Sequence, residues 1–363
     1  MRRTFPASLV MKRTVAFGTA LTLLTLGVAC SDADGDGSGP LSAGGAGGVG
    51  GDGASSTSGG TTSGGQGQTG GSDPGEGGGT PGQGGAGGGT GGAGGGSQED
   101  LVCARWQQDR ASLSEGTWSG SVAGCNAGDI SAEGRTNALK LINLYRFVAN
   151  LPPVAHDATR NQQAQACALM MHANNSLSHS PPTNWTCYSQ AGAQGAANSN
   201  IASTRGVSAV DLYMADPGNE TTLGHRRWIL SGALGPVGLG STSNASCMWV
   251  LGGSGGQSPP FTAWPAPGKF PSGALRASYA PLDSTGWSIQ SSSINLAGAQ
   301  VSVTDGGMNR PMAVTQLAAN FGSSSAIRMV PQGWTTQVGH TYEVRVTGIN
   351  SPISYAVEIT DCP

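Results

Sequence analysis

The sequence predicts an α+β fold in which helices precede strands, and two observations carry that expectation. Between residues 133 and 216, apolar side chains recur at three- and four-residue spacing, the mark of helices with one buried face. Beyond residue 300 they alternate singly, as in strands with one buried face. Helices followed by a run of strands point to two folded parts.

In the first part, Glu133 to Asn150 reads as an amphipathic helix through Ala138, Leu141, Ile142, Tyr145 and Val148. Pro152 and Pro153 stop it. Ala158 to Asn174 reads as a second helix, with Ala164, Cys167, Ala168 and Met171 on one face. A third begins near Ser208, where Ser208 and Asp211 have the spacing of a capping box. It ends at or before Asp216, because Pro217 disfavours helix in the residue before it.

The second part, residues 257–363, reads as a small antiparallel β-sandwich-like unit. Its strands are expected at 300–304, 312–316, 326–330, 341–347 and 355–360. The Pro-rich stretch from Ser258 to Pro271 is expected to be the hinge.

The first hundred residues speak to compartment instead of fold. Met11-Lys12-Arg13 and the apolar run Val15–Val28 read as an export signal, too short for a membrane span of ~20 apolar residues. Leu26-Gly-Val-Ala-Cys30 resembles a bacterial lipobox, with Leu26 one place further from the cysteine than usual. That resemblance implies lipid attachment at Cys30 and an outer-membrane or cell-surface location. Ordinary cleavage at Gly27-Val28-Ala29 would give a secreted chain. Residues 31–97 are nearly all small and polar and cannot bury enough surface to order themselves. They read as a tether reaching roughly 40–50 Å. Much of the chain's total of 62 glycines lies here.

Residues 98–363 hold 14 Lys and Arg against 15 Asp and Glu, with no basic run to suggest nucleic acid as a partner. Six further cysteines in an exported chain imply disulfides. Without a Cys-x-x-Cys pair, a zinc–thiolate site is not expected. The pairing expected is Cys103–Cys125, Cys167–Cys187 and Cys247–Cys362, one of fifteen possible.

Five histidines occur, and two sit among unusual neighbours. His179 lies in Asn175-Ser-Leu-Ser-His-Ser-Pro-Pro182, and His225 in Leu223-Gly-His-Arg-Arg-Trp-Ile-Leu230. These segments follow Asn143-Leu-Tyr-Arg146, Leu151-Pro-Pro-Val154 and Asp157, with Asn198-Ser-Asn-Ile201 and Ala209-Val210 between them. In this order, over residues 133–252, the chain resembles the CAP (SCP-domain) superfamily of cysteine-rich secretory, antigen 5 and pathogenesis-related proteins. The resemblance implies a three-layer α-β-α sandwich at 129–256, preceded by an extension at 98–128.

It also implies a cleft in which two histidines and two acids can hold a divalent metal such as zinc. Position by position, the histidines are His179 and His225, and one acid falls on Asp216. Ser199 stands where the other acid is expected, so the ligand set is His179, Asp216 and His225. A carboxylate at a helix C-terminus opposes the dipole by ~0.3–1 kcal/mol, so Asp216 needs a partner: Arg226, Arg227 or a cation. Ser178, Ser180 and Ser199 are candidate hydroxyls near the cleft. Tyr213 and Trp228 read as core, and Trp185 as a contact at the cleft rim.

The leading functional expectation is a non-enzymatic binding or interaction module for a lipid, glycan, other small molecule or protein. The alternatives are a metal-assisted hydrolase of peptide or glycan and a structural envelope protein.

Overall fold

A computed structural model describes residues 98–253, 255–256, 259–276 and 278–362. The export signal, Cys30 and the 31–97 tether lie outside the described residues. In chain order, the first elements are α1 (Gln98–Arg110), α2 (Ala132–Val148), α3 (Ala158–Asn174), α4 (Gln190–Ala197) and β1 (Ser199–Ala202). Next come α5 (Gly206–Ala215), α6 (Gly224–Ile229), β2 (Gly238–Ser241), β3 (Ser246–Trp249), β4 (Thr262–Trp264) and β5 (Gly268–Pro271). The chain continues through α7 (Leu282–Thr285), β6 (Trp287–Ser291), β7 (Gln300–Asp305), β8 (Met308–Asn309) and β9 (Met312–Gln316). It closes with β10 (Ser325–Pro331), β11 (Thr341–Thr347) and β12 (Ile353–Thr360). The fold is therefore α+β, with antiparallel pairing in every sheet and one parallel pair, β5 with β12.

Local chemistry explains the helix starts. Ser131 caps α2 by accepting from the Gly134 N–H, and Asp157 caps α3 by accepting from the Arg160 N–H. The capping box expected at Ser208 does not form. Helix α5 starts two residues earlier, and the Glu115 carboxylate accepts from the N–H groups of Val207 and Ser208, each at 2.8 Å. An acid from a distant loop thus pairs the orphan donors of the first turn. Asp211 instead accepts two bonds from Arg110 and one from the Tyr145 hydroxyl, tying α1, α2 and α5 together.

The small sheet, ordered β1-β3-β2, is covered on both faces, and residue alternation shows how. Ile201 and Cys247 pack with Ala164, Cys167 and Ala168 of α3 and with Ala196 of α4. Their neighbours Ala202, Leu239 and Met248 face the other way, into the cluster that holds Leu141, Tyr145 and Val210 of α2 and α5. Strand β2 is an edge, and α3 finishes it. Asn161 Oδ1 accepts from the Leu239 N–H, while Gln165 accepts from Ser241 N–H and donates to Ser241 O. The helix lies so close that a Cβ on Gly240 would sit 2.2 Å from the backbone of Ala164 and Gln165.

The later strands form two sheets, β4-β6-β10-β9 and β5-β12-β11-β7-β8. Trp287 of the first meets Tyr342 of the second edge to face at 5.7 Å. The expected strands fall on β7 and β9 to β12, but the stretch expected to be a hinge carries β4 and β5. Trp264 and Phe270 from that stretch are buried with ring centroids 4.6 Å apart. Trp264 also meets Tyr145 of α2, which in turn meets Trp106 of α1. One hydrophobic cluster therefore runs through residues on both sides of 257.

The disulfides differ from all three expected pairings. They join Cys103 to Cys362, Cys125 to Cys187 and Cys167 to Cys247. Helix α1 lies beside β5, which pairs with β12, so the end of the chain is the nearest partner for Cys103. Cys167 of α3 faces Cys247 of β3 across the same packing that buries Gly240.

Gly240→Ala is expected to destabilise the fold by about 3 kcal/mol or more, because the added methyl meets helix backbone that cannot rotate away. Urea denaturation of the two proteins checks this. A change within experimental error would mean that α3 is not held against β2 by that close approach.

Candidate functional site

A cavity of about 210 Å³ opens beside β1 and α6. His179 reaches it from the loop between α3 and α4, Ala197 and Asn198 from the end of α4, and Ser199 and Asn200 from β1. Helix α6 contributes Gly224, His225 and Trp228. Val250 and Leu251 follow β3, and Asn320 and Phe321 come from the β9–β10 connection.

His225 is the most tightly positioned of these side chains. Its Nδ1 lies 2.8 Å from Asp216 Oδ1, and Asn219 Nδ2 lies 2.8 Å from both atoms. Asp216 Oδ2 accepts from the Arg226 N–H at 3.2 Å. Asp216 is an acceptor with no exposed surface, so the strongest arrangement has His225 Nδ1–H donating to it. Asn219 then spends one amide proton on the same oxygen, and the Nε2 lone pair of His225 is left for the cavity. The Tyr213 ring lies 5.1 Å from the imidazole, and its hydroxyl donates to Asn200 O. Asn200 Nδ2 in turn donates to His225 O, fixing β1 against α6.

The structure separates the residues that the sequence reading grouped. His179, Ser199 and His225 share the cavity, but Asp216 and Arg226 do not line it. Both Asp216 oxygens are turned to His225, Asn219 and the Arg226 N–H. Among the described residues, no three His, Cys, Asp or Glu side chains gather as a metal-binding group. The donor set does not fit a three-ligand site: one expected acid is spent orienting a histidine and the other is Ser199.

Arg226 also does another job than expected. Its guanidinium donates to Met214 O, Ala215 O, Gly286 O and Thr285 Oγ1 at 2.7–3.0 Å. Arg227 donates to Thr222 O, Ala318 O, Ser323 O and Ser323 Oγ. Burial pulls both pKa values down to about 10, against the opposing charge of Asp216, so both stay charged at neutral pH. The Arg227 guanidinium also lies 5.9 Å over the Phe321 ring, holding that cavity wall to α6.

Ser199 is only 5% exposed, and its Oγ has no hydrogen-bond partner. His179 Nδ1 lies 2.9 Å from Ala196 O, to which its N–H donates. Trp185 packs against the α3–α4 cluster instead of the cavity rim, and Trp228, read as core, lines the cavity. Ser178 and Ser180 are not among the lining residues. Tyr213 is core, as read. Asn320 and Phe321 escaped the sequence reading altogether. Their one local signal is the Asn-Phe-Gly turn, with positive φ at Asn320 and Gly322, and that signals a turn, not a site.

Asp216→Ala would leave His225 Nδ1–H and the Arg226 N–H without their charged acceptor. It is expected to cost about 2–4 kcal/mol of stability. Nitrogen-15 NMR of the wild type should show the neutral His225 proton on Nδ1. A proton on Nε2, or a variant of unchanged stability, would rule out the orienting role.

No curated protein and no solved structure matches the chain. Residues 139–251, less than a third of the chain, match the model of the CAP family, described as the cysteine-rich secretory protein family. That span supplies His179, Ser199, Asp216 and His225, while Asn320 and Phe321 lie outside it. The part of the chain that carries the cavity's histidines is thus similar to the CAP family.

Proposed function

We propose that this is an exported, surface-tethered CAP-like binding module. In this reading a three-layer α-β-α sandwich carries the ligand cavity, and the C-terminal β domain closes its far wall. The single observation that carries the binding reading is the Ser199 hydroxyl, buried without a partner on a residue that lines a cavity walled by Trp228, Val250, Leu251 and Phe321. An unpaired buried hydroxyl favours a ligand that can pair it. The volume of about 210 Å³ falls below the ~300–1,000 Å³ of drug-sized sites, so it suits a small molecule or the end of a larger one.

A hydrolase reading has one observation in its favour. Asp216 orients His225 as an acid orients a catalytic base, and Ser199 lines the same cavity. Against it, Ser199 Oγ makes no hydrogen bond to His225, so no nucleophile is activated in this geometry. Binding is the reading that needs no further group.

Ala197 is an exposed lining residue at the end of α4, so Ala197→Trp should fill the cavity mouth without disturbing the core. In a ligand-observed NMR screen of neutral fragments, some should bind the wild type and weaken about tenfold in this variant. A screen in which no fragment tells the two proteins apart would reject the cavity as a binding site. For zinc, calorimetry should show weak or no binding to the wild type and at least about tenfold tighter binding to Ser199→Glu, which restores an acid. Equal affinities would remove the metal from consideration.

The tether reading rests on the apolar run before Cys30 and the polar segment after it. Three disulfides fit an oxidising compartment. Wild type should partition into the detergent phase of a Triton X-114 separation and Cys30→Ala into the aqueous phase. Identical aqueous partitioning would leave the chain without a lipid.

A further inference from the structure

The polar side chains that line the cavity beside β1 and α6 share one sense. Asn200 Nδ2 donates to His225 O at 3.1 Å, and Asn198 Nδ2 donates to Gln194 O at 2.8 Å. Each partner is a carbonyl oxygen, which can only accept, so neither amide can be turned round. Asn200 Oδ1 is thereby fixed as an acceptor. It has no hydrogen-bond partner among the described residues, and unlike Ser199 Oγ it is not sealed off from the outside. Asn200 is only 2% exposed, and the surface it keeps belongs to the cavity it lines. His225 adds a further acceptor, because with Nδ1–H held by Asp216 its unspent end is the Nε2 lone pair.

Donors, in contrast, are spent elsewhere. His179 gives its Nδ1–H to Ala196 O. No lysine, arginine, aspartate or glutamate lines the cavity. Arg226 and Arg227 are buried on the same helix, but the donors they extend toward neighbours go to oxygens of the protein itself. Trp228, Val250, Leu251 and Phe321 supply the apolar remainder.

We propose that the ligand of this cavity is a flat, neutral, apolar ring bearing one N–H or O–H donor, of the indole or phenol class, received by Asn200 Oδ1 and His225 Nε2. This rests on the binding reading of the same cavity. The lining selects the class. A carboxylate or phosphate would meet acceptors and lose its water without compensation. An ammonium would satisfy the acceptors, but it would enter beside two buried guanidiniums with no acid in the wall to offset them. An indole N–H or a phenol O–H brings the donor that the wall lacks, and the Trp228 and Phe321 rings suit a flat partner. A volume of about 210 Å³ suits a ring of that size better than a larger ligand.

The test is calorimetry and ligand-observed NMR on the intact chain, comparing indole with indene and phenol with toluene. Each pair shares a shape but not the donor. Indole or phenol should bind, and its donor-free counterpart should bind about tenfold or more weakly. Ala197→Trp, which fills the cavity mouth, should weaken binding about tenfold or more. In nitrogen-15 NMR, the His225 Nε2 signal should move upfield with indole and stay in place with indene. Equal binding of indole and indene, or an unmoved Nε2 signal with indole bound, would overturn the proposal and leave the cavity a binding site. So would benzylamine, benzoate or other fragments that Ala197→Trp displaces while indole and phenol fail to bind. Absence of any ligand sensitive to Ala197→Trp would overturn both the proposal and the binding reading beneath it.

Discussion

Three consecutive side chains on one short helix, His225, Arg226 and Arg227, are all buried, and the site depends on how their polar atoms are paired. Burying a guanidinium is unfavourable unless its donors are met. Here all but Arg227 Nε are met, mainly by backbone oxygens. Arg226 takes Met214 O and Ala215 O, the last carbonyls of α5, which have no partner inside their own helix. Those carbonyls form the negative end of the helix dipole, so a cation is favoured there. The same guanidinium reaches Thr285 and Gly286 at the end of α7, and Arg227 reaches Ala318 and Ser323. Two side chains thus join the helical half to the β half.

That junction explains why the cavity has two kinds of wall. Most of its lining comes from the segment that matches the CAP family model, and Asn320 and Phe321 come from the β9–β10 connection, where Arg227 holds Phe321. The aromatic series Trp106, Tyr145, Trp264 and Phe270 carries the core through the same boundary. Gln290 extends the junction on the other side, donating to Arg227 O of α6 and to Leu230 O just after it.

The chemistry of the cavity follows from where its acids go. A carboxylate held against Nδ1 fixes an imidazole's orientation and presents Nε2, as the second shell of a metal site or the third member of a triad would. Neither arrangement is completed. The position that would supply another acid is Ser199, and the Ser199 hydroxyl does not reach His225. What remains is a pocket with no acid in its lining, an oriented imidazole and apolar walls.

The sequence by itself determined the elements whose physics is local. Periodicity located α2 and α3, and alternation located β11 and β12, because burial of one face repeats along the chain. The resemblance carried by the order of short segments implied a cleft with His179, Ser199 and His225, and these three residues line one cavity. Tertiary structure decided whatever depends on partners far apart in sequence. Glu115 caps α5 in place of Ser208, since a free carboxylate from another loop reaches the first-turn donors. Cysteines pair across layers instead of along the chain, because the strand order brings the C-terminus to α1. Asp216 meets His225 and the Arg226 N–H because its left-handed position at the end of α5 turns its buried carboxylate toward α6. No spacing within the chain encodes that geometry; it exists only once α5, α6 and the β9–β10 connection have packed.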